Sequence, residues 1–105
     1  MNYYRRYLGD YMRATMALSI VEHGAYNLLL DGYYASEAPL PADMDGLYRL
    51  CRAMTEGERV AVKKVADQFF PVNGDGRRHN SRADREIAVA QATIPQHAEA
   101  LDAGV

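Results

Sequence analysis

The sequence has a single cysteine, no tryptophan and no long apolar run among its 105 residues. One cysteine, Cys51, excludes an intramolecular disulfide framework and a zinc site built from several thiolates, and it reads best as a small buried apolar side chain. No stretch approaches the roughly 18 apolar residues that a membrane span needs, and the N-terminus lacks the apolar core of a signal peptide. We therefore expect a cytoplasmic protein without membrane contact.

The chain also lacks a strong net charge. Its 12 basic and 14 acidic side chains leave a formal net charge of −2 at pH 7. Nucleic-acid binding would therefore have to come from a local patch of positive charge rather than from the charge of the whole protein. The apolar fraction of 49% and the charged fraction of 25% are typical of one ordinary globular domain.

The clearest local signal is a helix from about Ser19 to Ala35. Ser19 and Glu22 form a capping-box pattern, in which each residue satisfies a backbone amide of the other. Behind this cap, apolar residues recur at helical spacing on two faces. Only a narrow stripe stays polar: His23, Asn27 and Asp31. A helix that is apolar on most sides has neighbours packed around it, so we expect a central scaffold helix.

The segment before this helix, residues 2–17, is rich in tyrosine and arginine. We expect its tyrosines to pack onto the domain and a short strand or turn to form near Gly9-Asp10. A secondary hypothesis is that these rings stack on single-stranded bases. After the helix, Pro39 and Pro41 favour an extended link, because two prolines this close resist a helical backbone.

Two further helices and a hairpin are predicted next. The second helix runs from about Asp43 to Arg52, and a capping box of Thr55 and Glu58 starts the third, which Pro71 ends. Asn73 to Gly76 contains Asn-Gly and Asp-Gly, the strongest signal for a tight hairpin turn. The returning strand is expected at residues 78–80, and a last helix begins at about Ser81.

This order of elements predicts a mainly α, winged-helix-like fold with three helices, a β-hairpin wing and a C-terminal helix. A plain helical bundle with one hairpin is the alternative. We expect residues 1–92 to form a single winged-helix-like domain and residues 93–105 to form a frayed C-terminal tail.

Several short motifs, spread over residues 3–90, carry a resemblance to a known family. They are Tyr7-Leu8-Gly9-Asp10-Tyr11, Glu22-His23-Gly24-Ala25-Tyr26, Pro39-Leu40-Pro41, Phe69-Phe70 and Gly74-Asp75-Gly76. With them the chain resembles the YdaU-like family, a domain of unknown function in phage and prophage proteins that is often encoded beside replication genes. The resemblance implies a winged-helix-like fold and a role of the replication-initiator or helicase-loader type. The chain departs from the family at Tyr34 and Arg78, where family members often carry tryptophan.

The densest positive run lies in and after the predicted hairpin. It contains Arg77, Arg78, His79, Arg82 and Arg85. Guanidinium groups suit phosphates because each donates hydrogen bonds in a planar fork. We predict that Arg77, Arg78 and Arg82 hold DNA phosphates and that Arg59, Lys63 and Lys64 of the third helix lie near the groove. An alternative for Arg82 and Arg85 is ion pairing with Asp84 and Glu86 along one helix.

No catalytic constellation is present in the pattern. Glu22 and His23 are adjacent, but no second histidine follows four residues later as a metalloprotease helix requires. We therefore interpret His23 as structural, hydrogen-bonded near the N-terminal segment, and Gly24 as a site where another backbone approaches closely. We expect no enzyme activity, no metal and no cofactor.

The function predicted from the sequence is non-catalytic binding of double-stranded DNA in replication initiation or transcriptional control. The alternative is a protein-interaction module that docks a host or phage partner, such as a helicase, a loader or a defence complex, without binding DNA. The sequence leaves the oligomeric state open, a dimer included.

Overall fold

A computed structural model describes the backbone of residues 1–103 and the side chains of residues 1–92. The elements in chain order are α1 (Leu8–Ala14), α2 (Ile20–Ser36), β1 (Leu40–Pro41), α3 (Met44–Cys51), α4 (Glu56–Phe69), β2 (Arg77–Arg78) and α5 (Ser81–Ala103). The prediction that residues 93–105 fray stays a prediction, although helical backbone reaches Ala103. Residues 104 and 105 lie outside the described residues.

Helix α2 begins where the capping box predicts. The Glu22 amide donates to Ser19 Oγ at 3.1 Å, and the Ser19 amide donates to Glu22 Oε1 at 2.8 Å. The helix packs against α3, α4 and α5, and Leu29 and Tyr33 are fully buried at its centre. The prediction of a central scaffold helix is confirmed.

The two glycines of α2 differ in their surroundings. A Cβ atom added at Gly24 would meet nothing within 4 Å, so the prediction of a close backbone approach there is wrong. At Gly32, an added Cβ would lie 2.8 Å from Leu50 Cδ2. The close contact in α2 is therefore at Gly32, which faces α3, whereas Gly24 lies on the exposed surface.

The N-terminal segment forms a helix, α1, so the prediction of a strand or turn near Gly9-Asp10 is wrong. Asp10 lies in the first turn and pairs with Arg13 one turn later, an arrangement that stabilises a helix. Thr15, which follows the helix, is 1% exposed, and its hydroxyl donates to the Tyr11 carbonyl at 2.7 Å.

The polar stripe of α2 binds this N-terminal segment. Hydrogen bonds join three pairs of side chains: Tyr4 and Asp31, Arg6 and Asn27, and Tyr11 and His23. The Tyr4 ring also stacks on Tyr34 at 4.0 Å between centroids. The predicted packing of tyrosines onto the domain is confirmed for Tyr4 and Tyr11, whereas Tyr3 is 85% exposed.

Helices α3 and α4 also match their predicted positions. Asp43 caps α3 through the amides of Asp45 and Gly46, and Thr55 and Glu58 form the predicted capping box of α4. The inward face of α4 is buried as predicted, apart from the half-buried Phe69. Its buried residues are Val62, Val65, Ala66 and Phe70, the last just beyond the helix end.

The layout is winged-helix-like and mainly helical, as predicted. The link between α2 and α3 forms strand β1, which pairs antiparallel with β2 in the register Leu40–Arg78 and Pro41–Arg77. Val72 forms a further bridge to Arg78 and closes the hairpin, here called the wing (residues 72–79). The returning strand is thus Arg77–Arg78 rather than residues 78–80, because its partner β1 comes from a distant part of the chain.

Candidate nucleic-acid interface

A short turn brings the end of α3 next to the start of α4. The Ala53 amide donates to the Tyr48 carbonyl at 2.9 Å, and the Arg52 amide donates to the Arg49 carbonyl at 3.2 Å. These two bonds form a Schellman motif, which ends a helix with one residue in the left-handed conformation. Thr55 caps α4 only three residues after Arg52. Because the turn is this short, exposed residues from the end of α3 and the start of α4 share one surface.

An open cleft of about 380 Å³ lies on this surface. We call it the arginine cleft, since three of its lining residues are arginines. Its lining consists of Asp45, Tyr48, Arg49, Arg52, Ala53, Met54 and Arg59. Three positive charges and one negative charge give the cleft a local net charge of +2, against −2 for the whole chain.

The three arginines of the cleft differ in their partners. The Arg59 guanidinium lies 5.9 Å from the centre of the Tyr48 ring, within the range of a cation–π contact. Arg49 Nη2 lies 4.0 Å from Asp43 Oδ2. Within residues 1–92, no carboxylate lies within salt-bridge distance of Arg52 or Arg59. Two guanidinium groups of the cleft are therefore not neutralised by an ion pair.

Arg52 holds an unfavourable backbone conformation. Its φ is 55° and its ψ is 42°, the left-handed region that glycine normally occupies at a helix end. For a residue with a Cβ this conformation costs roughly 1–2 kcal/mol. Arginine at this position therefore places a long cationic side chain at the cleft where glycine would favour stability.

The lysines of α4 are exposed but paired. Lys63 Nζ lies 2.8 Å from Asp67 Oδ2 one turn later, and Lys64 Nζ lies 2.9 Å from Glu22 Oε2 at the start of α2. Lys63 holds the pKa of Asp67 below its usual range. Because surface ion pairs of this kind contribute little free energy, both lysines remain accessible to another anion.

The two arginines of β2 point in opposite directions, as neighbours in a strand do. Arg77 is exposed and donates to the Pro39 carbonyl at 2.9 Å. Arg78 is only 6% exposed; its Nη1 lies 3.1 Å from Asp67 Oδ1 and donates to the Phe70 carbonyl at 3.2 Å. The structure removes Arg78 from the predicted phosphate contacts, because its guanidinium holds the wing against the end of α4.

The Arg82 side chain is also held by contacts within the protein. Its Nη2 lies 2.9 Å from Asp10 Oδ2, and its guanidinium lies 4.7 Å from the centre of the Tyr7 ring. The ion pair with Arg82 lowers the pKa of Asp10. Arg82 thus joins α5 to α1, and the structure does not bring it together with the residues of the arginine cleft.

His79 is bound between two carboxylates. Its Nδ1 lies 2.8 Å from Asp84 Oδ2, and its Nε2 lies 2.7 Å from Asp75 Oδ2. The buried Tyr33 hydroxyl donates to Asp84 and accepts from the Asn80 amide at 3.2 Å. Asp84 and Asp75 raise the pKa of His79. This network joins the wing to α5 and α2.

The other side chains considered as candidates from the sequence, His23 and Cys51, contribute to the fold. His23 Nδ1 lies 2.8 Å from the Tyr11 hydroxyl, so the prediction of a structural histidine near the N-terminal segment is confirmed. Cys51 is buried, and its burial raises its pKa to about 11. Within the part of the chain that the structure describes, no group of three His, Cys, Asp or Glu residues is placed to hold a metal ion.

Sequence reasoning did not identify Arg49 and Arg52 as candidate binding residues. Arg49 lies in α3 and Arg52 directly follows that helix, both outside the densest run of positive charge. The turn between α3 and α4 places them on one cleft with Arg59. A usable signal was present, because arginine stands where the helix end favours glycine.

Comparison with known proteins places this fold in a family. Residues 2–88 match the family described as "Protein of unknown function (DUF1376)". The chain belongs to the DUF1376 family. The resemblance to a YdaU-like domain noted above is thereby confirmed.

One relative of this DUF1376 domain is the uncharacterized protein YdaU of Escherichia coli (strain K12). The two are 31% identical over 103 residues, which cover 98% of this chain and 35% of the relative. The chain therefore spans about a third of the relative's length. No solved structure matches this chain. Among the described residues, no helix is both long and apolar enough to cross a membrane.

Proposed function

We propose that this DUF1376 domain binds double-stranded DNA without catalysis, using the face formed by α3 and α4. The observation that carries the proposal is the arginine cleft, in which Arg52 and Arg59 lack a carboxylate partner among the described residues. Arginine is suited to this role because its planar fork matches the oxygens of a phosphate group.

The exposed face of α4 extends the proposed interface. Arg59 and Lys63 are four residues apart, a spacing that places both on one side of a helix. In proteins of the winged-helix layout, a helix at this position enters the major groove while the wing contacts the flanking backbone. Arg77 on the wing is exposed and is the wing residue that we assign to a phosphate.

The acidic residues at the start of α4 limit the expected affinity. Glu58 accepts from the amides of Met54 and Thr55 at 2.9 and 3.0 Å, and these bonds lower its pKa. Its charge is thus partly compensated by the helix terminus. Glu56 is exposed and faces solvent without such a bond. We infer moderate affinity that falls steeply as salt rises.

The cellular setting that we propose is replication initiation or transcriptional control in a phage or prophage. It follows from the resemblance to the YdaU-like family, whose members are often encoded beside replication genes. In this setting the domain would bring other proteins to DNA rather than alter the DNA chemically.

A second candidate function rests on a groove that adjoins the arginine cleft, since Arg52 and Ala53 line both. An apolar groove of about 160 Å³ lies between the start of α2 and the α3–α4 turn. Val21, Leu28 and Val62 help to line it. Near it, Ile20 is 88% exposed and Met54 is 82% exposed. Exposed apolar side chains favour a protein-interaction module, for which a helicase, loader or defence complex is the proposed partner.

Duplex binding measured across a salt series separates the two functions. Fluorescence anisotropy with a labelled duplex of mixed sequence is a direct readout. Each phosphate contact contributes roughly −0.9 to the slope of log K against log salt, so three to five contacts predict a slope between about −2.7 and −4.5. Absence of binding at about 50 mM salt, where such contacts are strongest, would contradict DNA binding and favour the interaction module.

A further inference from the structure

The side chain of Arg52 stands out when the two non-glycine residues with left-handed backbone are compared. Glu37 and Arg52 have φ values of 52° and 55°. The Glu37 carboxylate accepts from the N-terminal amine of Met1 at 3.3 Å, so that side chain has an intramolecular partner. Within residues 1–92, the Arg52 guanidinium has no carboxylate partner. The unfavourable backbone of Arg52 is therefore not offset by an ion pair of its side chain.

Arg59, which lines the same cleft, also has an unpaired guanidinium among the described residues. The Arg59 Cζ atom lies over the Tyr48 ring, 5.9 Å from its centre. Within residues 1–92, no carboxylate pairs with this guanidinium, so its N–H groups are available to a ligand. The cleft thus combines two guanidinium groups, of which one is oriented by an aromatic ring.

We infer that the arginine cleft holds one phosphodiester group of a nucleic-acid backbone between Arg52 and Arg59. The inference rests on the proposed function, and it assigns Arg52 as a binding residue retained at the expense of stability. A phosphodiester fits because two guanidinium forks can donate hydrogen bonds to the two non-bridging oxygens that share its single negative charge. An acidic peptide is the less favoured ligand, since Arg59 shares its helix face with Lys63 and a backbone presents phosphates at regular intervals.

The test replaces Arg52, the residue with the left-handed backbone. Arg52→Gly removes the charge and supplies the residue that the left-handed backbone favours. We expect its melting temperature to equal or exceed that of the wild type, while duplex affinity falls about tenfold and the salt slope decreases by about one. Glu37→Gly is the matched control, since it introduces glycine at the other left-handed position, and it should bind duplex like the wild type.

Two more variants keep the test decisive. Arg52→Asn also tolerates the left-handed backbone and should lose duplex affinity by a similar factor if Arg52→Gly fails to fold. Arg59→Gln should add a second loss of about tenfold. If the wild type binds duplex and both Arg52 variants bind equally well with an unchanged slope, the phosphate subsite is wrong while DNA binding stands. If the wild type binds no duplex, or binds only an acidic peptide, the proposed function falls and this inference with it.

Discussion

The Nδ1 atom of His79 on the wing lies 2.8 Å from the Oδ2 atom of Asp84 in the first turn of α5. Asp75 occupies the other side of the ring at 2.7 Å. The imidazole therefore bridges the hairpin turn and the C-terminal helix, and its protonated form is the one that both carboxylates favour.

We predict that this bridge makes stability depend on pH. Asp84 and Asp75 raise the folded-state pKa of His79 above the ordinary value of 6.5. A raised pKa means that the native state binds the proton more tightly than the unfolded state does. The stabilisation is therefore fully present below pH 6.5 and is lost as pH rises through the folded-state pKa. Urea unfolding between about pH 5.5 and 9, which spans the ordinary pKa of histidine and the region above it, measures this loss.

Two variants control this measurement. His79→Gln should abolish the fall in stability above pH 6.5, the ordinary pKa of the residue. Arg85→Gln changes an exposed residue of α5, the helix that contains Asp84, and should retain the wild-type fall. If His79→Gln unfolds with the same dependence as the wild type, His79 is not the titrating group.

A second prediction concerns the neighbouring arginines of β2. Arg78→Ala should lower the free energy of unfolding by about 1–3 kcal/mol, because the Phe70 carbonyl and Asp67 lose a charged donor. Arg77→Ala should change it by no more than about 0.5 kcal/mol, since Arg77 is exposed, while weakening duplex binding. Urea unfolding and anisotropy on both proteins check this, and equal stability losses would contradict the burial of Arg78.

A third prediction compares the glycines of α2. Gly24→Ala should raise the free energy of unfolding by up to about 1 kcal/mol, because alanine favours a helix and the site has open space. Gly32→Ala should gain less or lose stability, since its Cβ meets Leu50 at 2.8 Å. Thermal unfolding of the two variants gives the comparison, and a larger gain at Gly32 would refute the close packing of α2 and α3.

A fourth prediction tests how the N-terminal segment docks. The Tyr11 hydroxyl contacts His23 at 2.8 Å and accepts from Asn27 at 3.2 Å. Tyr11→Phe should lower stability by about 1 kcal/mol and should speed amide exchange in α1. Tyr3→Phe changes an 85% exposed residue and serves as the control. Unchanged exchange in the Tyr11 variant would show that α1 is held by other contacts.

The sequence predicts those parts of the fold whose signals are local. The starts of α2 and α4 follow from Ser19 with Glu22 and Thr55 with Glu58, since a capping box involves residues only three positions apart. Helix α1 has no buried residue, so no apolar periodicity marks it. Its support comes from His23 and Asn27 of α2 and from Arg82 of α5, and periodicity does not reveal such tertiary interactions.

The candidate site was only partly predictable for a similar reason. Arg59, Lys63 and Arg77 are exposed as expected. Arg78 differs because β1, 36 to 38 residues earlier in the chain (Leu40 pairs with Arg78, and Pro41 with Arg77), fixes which side of β2 faces inward. Pairing with a distant strand decides the burial of Arg78, so that burial is not readable from its neighbours in the sequence. The turn between α3 and α4 places Arg52 and Arg59 on one cleft.

The most direct test of DNA binding by the α3–α4 face is an NMR footprint of the wild-type protein. A duplex is titrated into ¹⁵N-labelled protein, and amide and arginine side-chain shifts are followed. The proposed function predicts shifts at Arg52, Arg59, Lys63 and Arg77, with none at Val21 and Leu28, which line the apolar groove but not the arginine cleft. Shifts confined to Val21, Leu28 and their neighbours in the apolar groove, or no shifts at low salt, would contradict it.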